Sequence, residues 1–264
     1  MKGNYQYIIE SIEGPVGRIT LHRPEVHNAM HIEMIRELTL AITKLSSLSE
    51  IRVILFDSSG ENFSAGADLK WMKQGLEQTE QEVKDESKEL ALLFNQIFNC
   101  RKVTLAIATG KVMGGANGII AATDIAVANE NTSFAFTEVR LGLIPATIAP
   151  YIAWRSGKAV AREWMLSARP IDAKEALQKG LLNFVLPPAE IDDFTDSLVK
   201  RILLNGPKAL EGVKDLFRDS TLDQHPDDLI EKTAEQIAFY RTSDEGQEGI
   251  RSFFEKKQPS WNNE

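Results

Sequence analysis

Two short runs of small residues and one glutamate are the groups in this sequence best suited to chemistry. The first run, Asn62-Phe63-Ser64-Ala65-Gly66-Ala67-Asp68-Leu69, follows the apolar stretch Val53-Ile54-Leu55-Phe56. The second, Lys111-Val112-Met113-Gly114-Gly115-Ala116-Asn117-Gly118, follows Val103-Thr104-Leu105-Ala106-Ile107-Ala108. Each reads as a junction where a strand hands over to a helix. Small side chains there let a ligand approach the backbone, and the first helical turn leaves N–H groups without partners. One such junction is a generic anion nest. Two that converge can grip a single oxygen from both sides and stabilise charge developing on it. Glu138 stands between an apolar strand and Leu141-Gly142-Leu143-Ile144-Pro145, a setting for a partly buried acid or base.

Rival chemistries find less support. Ser64 lacks the G-x-S-x-G elbow of a serine hydrolase, and none of His22, His27, His31 and His225 offers itself as its base. Those histidines show no metal-ligand spacing, and neither G-x-G-x-x-G nor G-x-x-x-x-G-K-[ST] occurs. The single cysteine, Cys100, rules out an internal disulfide and reads as a small buried residue. Asp68 and Asp124 read as caps on backbone N–H groups, and Asn28, Asn62 and Asn117 as turn and cap residues. Trp71 and Met72 wall a pocket or fill the core; pattern does not separate the two.

The elements that must position these groups alternate. Tyr5–Leu21 reads as a strand pair turning at Gly14-Pro15, and Arg23-Pro24 stops the second strand. Asn28 is the expected cap of a helix with the apolar face Met30, Met34, Ile35, Leu38 and Ile42. A strand at 53–57, a charged helix at 77–99 and a strand at 103–108 follow, then short strands at 124–128 and 133–136. From Thr147 the pattern turns helical, apart from a last strand in 180–185. Such alternation predicts a wound, largely parallel α/β core.

The chain is 264 residues long, with 43% hydrophobic and 26% charged residues and a net charge of −8, ordinary globular values. The acidic balance argues against nucleic acid or an anionic membrane as partner. The amino-terminal stretch lacks a basic-then-apolar pattern and no apolar run reaches a membrane span, so a cytoplasmic enzyme is expected.

With these pieces placed, the sequence resembles the crotonase superfamily, the enoyl-CoA hydratase/isomerase fold. The resemblance runs through Leu21-His22-Arg23-Pro24, Asn28-Ala29, Phe63–Leu69, Gly114-Gly115, Asp124-Ile125, Glu138 with Leu141–Pro145, and Arg169-Pro170-Ile171-Asp172-Ala173. A closer likeness is to the methylglutaconyl-CoA hydratase branch. It lies in Ala67-Asp68-Leu69-Lys70-Trp71-Met72, in Glu138–Pro150 and in Glu245-Gly246-Gln247-Glu248-Gly249. The resemblance implies a spiral of repeated strand-strand-helix units over residues 1–195 and a helical, trimer-forming region over 196–264. It implies that the amides of Ala67 and Gly115 bind the thioester oxygen of an acyl-CoA while Glu138 manages water and proton. The same resemblance places Val26, Ala65, Gly66, Asp68, Leu69, Lys70 and Gly114 along the CoA and acyl path, and Gly118 and Arg140 join them as substrate-binding candidates on the grounds given next. It implies a homotrimer or a dimer of trimers, with no metal or redox cofactor, because backbone dipoles would hold the enolate.

One position departs from the family pattern. Ordinary hydratases hold water between two glutamates, and where the second would stand this chain has Gly118. Either Glu138 alone shuttles a proton between carbons, which is double-bond isomerisation, or the empty place admits a carboxylate carried by the substrate, which polarises the water. The second reading is the one favoured here. Arg140, two residues beyond Glu138 on an expected strand, would face the same way. It either meets that carboxylate or orients its own loop.

Overall fold

A computed structural model describes residues 5–218 and 225–262. Residues 1–4, 219–224 and 263–264, parts of the two expected domains, lie outside the described residues. Contacts divide the chain into two compact units. One takes in the chain up to Cys100 and Thr104–Asp192; the other takes in Arg101–Val103 and the chain from Asp193 onward.

The first unit opens with the expected hairpin, β1 (Ile8–Glu13) against β2 (Val16–Leu21), antiparallel. β3 (Val53–Ser58), β4 (Val103–Ala108), β6 (Ile125–Asn129) and β9 (Phe184–Leu186) extend it in the order β1-β2-β3-β4-β6-β9. The β2–β3, β4–β6 and β6–β9 pairs are parallel. Every residue of β4 is buried, as in a sheet covered on both faces. A second, smaller sheet runs β5 (Lys111–Met113), β7 (Ser133–Ala135), β8 (Ile171–Asp172). β5 and β8 were not visible in the sequence pattern, since elements this short have no period to read. The wound α/β expectation holds.

Helices α1 (Ile32–Ser47), α2 (Leu69–Gln74), α3 (Glu80–Asn99), α4 (Ala116–Ala122), α5 (Ala149–Ser156), α6 (Lys158–Ser167) and α7 (Ala173–Gln178) complete the unit. Met34, Ile35, Leu38 and Ile42 of α1 and Leu93, Phe94 and Ile97 of α3 share one core with Ile19, Ile54, Phe56 and Ala106. α3 begins at a capping box between Thr79 and Glu82, which satisfies orphan donors at its charged end. α1 departs from expectation. It starts at Ile32 after His31, not at an Asn28 cap. Asn28 is instead fully buried at φ +55°; it accepts from the Arg23 N–H and donates to the Ser59 and Asn62 carbonyls.

The second unit is helical: α8 (Ile191–Leu203, its first two residues in the first unit), α9 (Pro207–Arg218), α10 (Pro226–Thr242) and α11 (Asp244–Glu255). Within it Glu245 accepts from the Lys208 and Ala209 amides at the start of α9, and the Trp261 indole donates to the Leu204 carbonyl. Phe217, Phe239, Phe253 and Phe254 are exposed. Among the described residues no helix is long and apolar enough to cross a membrane.

Phe136, which leads the chain towards Glu138, is fully buried and stacks on the fully buried Trp164 of α6 at 5.9 Å and 9°. The Trp164 indole donates to Glu175. Trp164→Ala is therefore expected to cost about 3–5 kcal/mol of stability through lost contact and a residual cavity, read by urea unfolding.

Candidate active site

Three parallel stretches of backbone bring the candidate residues to one place. β5 pairs with β7 in the register Val112↔Phe134. On the other side of β5, Ser64 bridges Val112 in parallel: the Ser64 N–H donates to the Lys111 carbonyl and the Met113 N–H to the Ser64 carbonyl, each at 3.0 Å. Parallel neighbours in register emerge at the same edge. Three residues past Ser64 lies Ala67, three past Val112 lies Gly115, and four past Phe134 lies Glu138.

Each junction needs its glycine. Gly66 sits at φ +92°, and a Cβ there would stand 3.0 Å from the Met113 carbonyl oxygen. Gly114 sits at φ +51°, where a Cβ would stand 3.3 Å from Glu138 Oε1. Side chains at either position meet backbone strain and a polar neighbour together. Past Gly66, the Met30 N–H donates to the Gly66 carbonyl at 2.7 Å and the Asp68 N–H to the Met30 carbonyl at 2.8 Å. That parallel bridge flanks Ala67 and turns its own N–H away from Met30. Gly115 stands at the start of α4, where helical amides have no internal acceptor. Among the described residues, neither the Ala67 nor the Gly115 N–H is spent on a hydrogen bond.

Glu138 opens a tight 3-10 turn, Glu138–Leu141, closed by Gly142 at φ +72°. Its carboxylate lies beside Gly114, and its Oε2 is buried without a hydrogen-bond partner among the described residues. Burial raises the carboxyl above its ordinary value, opposed only by a hydrogen bond from its own backbone N–H. Such a carboxylate accepts a proton at higher pH than a surface glutamate does and can return it. The turn corrects the strand expected for 138–140: at three residues per turn Arg140 points elsewhere than Glu138. Arg140 is exposed, and its Nη2 donates to the Ala168 carbonyl at 2.6 Å, a contact that holds its loop.

Gly118 corrects a second expectation. A Cβ there would stand 2.6 Å from the Phe94 ring and 2.7 Å from an Ile148 methyl group, and both side chains are buried. The place of a second glutamate is filled with hydrocarbon, leaving no room beside Gly118 for a substrate carboxylate. With the Phe94 ring of α3 packed against it, position 118 has no space for a side chain.

The remaining candidates flank the first junction. The Ala65 N–H donates to the His27 carbonyl, which seats exposed Ala65 beside Val26–His27; Val26, Leu69 and Lys70 are also exposed. Asp68 caps α2 through the Lys70 and Trp71 amides and pairs with Arg23 at 3.0 Å. Burial works against its charge, yet Arg23 and those amides hold its carboxyl below the ordinary value. Ser64 is fully buried, donating to the Asn28 carbonyl and accepting from the Gly66 N–H, a brace rather than a nucleophile. Asp124 ties down Thr104, and Cys100 is buried, both as expected. Phe94, Ile148 and Asn117 were not read as part of this site. No sequence signal marks where a ring from a distant helix will pack, or that Asn117 lies inside α4 rather than at a turn.

Comparison with known proteins settles the family. The family model for enoyl-CoA hydratase/isomerase matches residues 11–264. The chain belongs to the enoyl-CoA hydratase/isomerase family. An enoyl-CoA hydratase structure from Shewanella pealeana superposes with a TM-score of 0.94 at 34% identity, covering 98% of this chain and 97% of that one. The human enoyl-CoA hydratase domain-containing protein 3, mitochondrial, is 30% identical over 263 residues, 94% of this chain and 81% of its own. A trans-2-decenoyl-[acyl-carrier-protein] isomerase from Streptococcus mutans is 24% identical over 265 residues, 98% of each chain. In this hydratase/isomerase the crotonase fold expected from the motifs is present.

Two stability measurements check the geometry. Gly118→Ala is expected to destabilise by about 1–3 kcal/mol through overpacking against Phe94 and Ile148, read as a lowered melting temperature. Glu138 holds an extra proton in the folded state between its unfolded pKa and its raised folded one. Stability therefore falls as pH climbs through that window and stays reduced above it. Glu138→Gln is expected to melt higher than the wild type at about pH 8, with the gain shrinking as pH drops towards the ordinary carboxyl range.

Proposed function

We propose that this protein adds water across the 2,3-double bond of an enoyl-CoA thioester. In this reading the Ala67 and Gly115 amides hold the thioester oxygen and Glu138 handles the proton. The observation that carries it is the Glu138 carboxylate: buried, with Oε2 unpartnered, and beside Gly114, the residue that precedes the unspent Gly115 amide. With one carboxylate the proton must make a round trip. Glu138 takes it from water as the water oxygen bonds to the β-carbon. The double-bond electrons move onto the thioester oxygen, where two N–H dipoles meet the charge. Collapse of that enolate draws the proton from Glu138 onto the α-carbon. Atoms and charge balance without metal or redox chemistry, and each aimed donor contributes roughly 3 kcal/mol to the barrier reduction.

A second reading has its own support. The hydrocarbon at Gly118 removes one anchor for water, and a curated relative is named an isomerase. Glu138 would then take a proton from the γ-carbon and return it to the α-carbon through the same enolate. For the acyl chain we favour a branched one whose distal carboxylate is seated elsewhere than beside Gly118, on the likeness of Ala67–Met72 and Glu138–Pro150 to the methylglutaconyl-CoA branch. The exposed Phe217, Phe239, Phe253 and Phe254 support self-association into a trimer or a pair of trimers.

The test is a panel of straight and branched enoyl-CoA thioesters in isotopically labelled water. Loss of conjugated-thioester absorbance with label in the product is expected, fastest on a glutaconyl-type chain. Glu138→Gln is expected to lower kcat by about 10²–10⁴-fold. A shifted double bond without label would establish isomerisation instead. Stabilisation by CoA thioesters with no turnover would reduce the protein to a binder.

A further inference from the structure

Asn117 is fully buried on α4, surrounded in sequence by Ala116, Gly118, Ile119 and Ile120. An amide side chain there carries a desolvation cost that only hydrogen bonds offset. Its Nδ2 lies 2.9 Å from the Gly114 carbonyl oxygen, 3.1 Å from that of Ala135 and 3.3 Å from that of Val112. Three acceptors around one atom require the amide nitrogen, whose two hydrogens serve the nearer pair best. Val112 belongs to β5 and Ala135 to β7, and Gly114 links β5 to α4. The side chain thus ties the ends of two strands to the second junction.

The Gly114 carbonyl and the Gly115 N–H share one planar peptide unit, so holding the oxygen fixes the direction of the hydrogen. The first junction uses the same device, with the Met30 N–H on the Gly66 carbonyl fixing the Ala67 amide. We propose that Asn117 is a positioning residue: it clamps the Gly114–Gly115 peptide to the end of β7 and aims the Gly115 amide at the substrate oxygen. The inference rests on the reading of the Ala67 and Gly115 amides as the thioester's donors. Donation to the carbonyl also polarises the peptide and strengthens its N–H. Two backbone bonds survive loss of the side chain, Asn117 N–H to Gly114 at 3.0 Å and Gly114 N–H to Ala135 at 2.9 Å. The fold therefore has support without the amide, while the peptide loses its second anchor.

The test replaces Asn117 with leucine, similar in shape but without donors, and with aspartate, which turns acceptors towards the carbonyls. Butyryl-CoA labelled at the thioester carbon, which cannot react, reports polarisation through the shift of its carbonyl stretch on binding. The wild type is expected to move that stretch to lower frequency, and Asn117→Leu to lose at least half the movement. For a thioester that is turned over, kcat is expected to fall about tenfold to a hundredfold, with KM within about threefold. Should leucine prevent folding, Asn117→Asp is read the same way. A folded variant with the wild-type carbonyl shift overturns the proposal, whether or not its kcat falls. A wild-type protein that leaves the stretch unmoved overturns the oxyanion reading, and this inference with it.

Discussion

The register between three parallel stretches of backbone is the constraint on which the site depends. Ser64, Val112 and Phe134 lie side by side, and the chain leaves them in the same direction towards Ala67, Gly115 and Glu138. A slip of one residue in either pairing would exchange N–H groups that face the cleft for groups that face the ladder. The geometry of the candidate site is therefore set by backbone hydrogen bonds, and the side chains that matter most are those that protect them. Glycine at positions 66 and 114 allows the left-handed turns by which two of these stretches leave the sheet.

Buried polar groups around the junctions serve that end. Asn28, Ser64 and Asn117 are all fully buried, and each spends its side chain on backbone at or beside a junction. Arg23 and Asp68 pair where the first junction passes into α2, with the guanidinium 5.4 Å from the centre of the Tyr7 ring. Each group would be costly alone in the interior, and its bonds to backbone or to a charged partner offset that cost, although Arg23 Nε and Asn117 Oδ1 are buried without a partner among the described residues. Glu138 differs in its chemistry. Its Oε2 is also buried without a partner, but unlike an amide oxygen or a guanidinium nitrogen it belongs to an acid raised by burial, a group suited to taking up a proton.

In the proposed reaction the hydrocarbon at Gly118 counts as much as the carboxylate does. Two glutamates can divide the tasks of holding water and moving its proton; here Phe94 and Ile148 stand in the second position. In the proposed hydration one carboxylate serves as base and acid in turn. A carboxyl raised by burial suits that double duty better than a solvated one. The Ala67 and Gly115 amides, proposed as oxyanion donors, are unaffected, since they belong to the backbone.

Sequence alone determined the wound α/β class, the hairpin turning at Gly14, the long strands and the apolar faces of α1 and α3, because period and turn chemistry are local properties. It also located both junctions and Glu138, since glycine pairs and a carboxylate in an apolar setting can be recognised without coordinates. Tertiary structure alone decided how those pieces meet. β5 and β8 are too short to show a pattern, yet β5 sets the register of the site. Asn28 and Asn117, read as cap and turn residues, are interior braces, because what a buried amide bonds to depends on which strands arrive beside it. Glu138 and Arg140 part company because a 3-10 turn, not a strand, follows Phe136. Gly118 offers no room, since its space is filled from α3 and from the start of α5, and packing between segments far apart in the chain leaves no trace in local spacing.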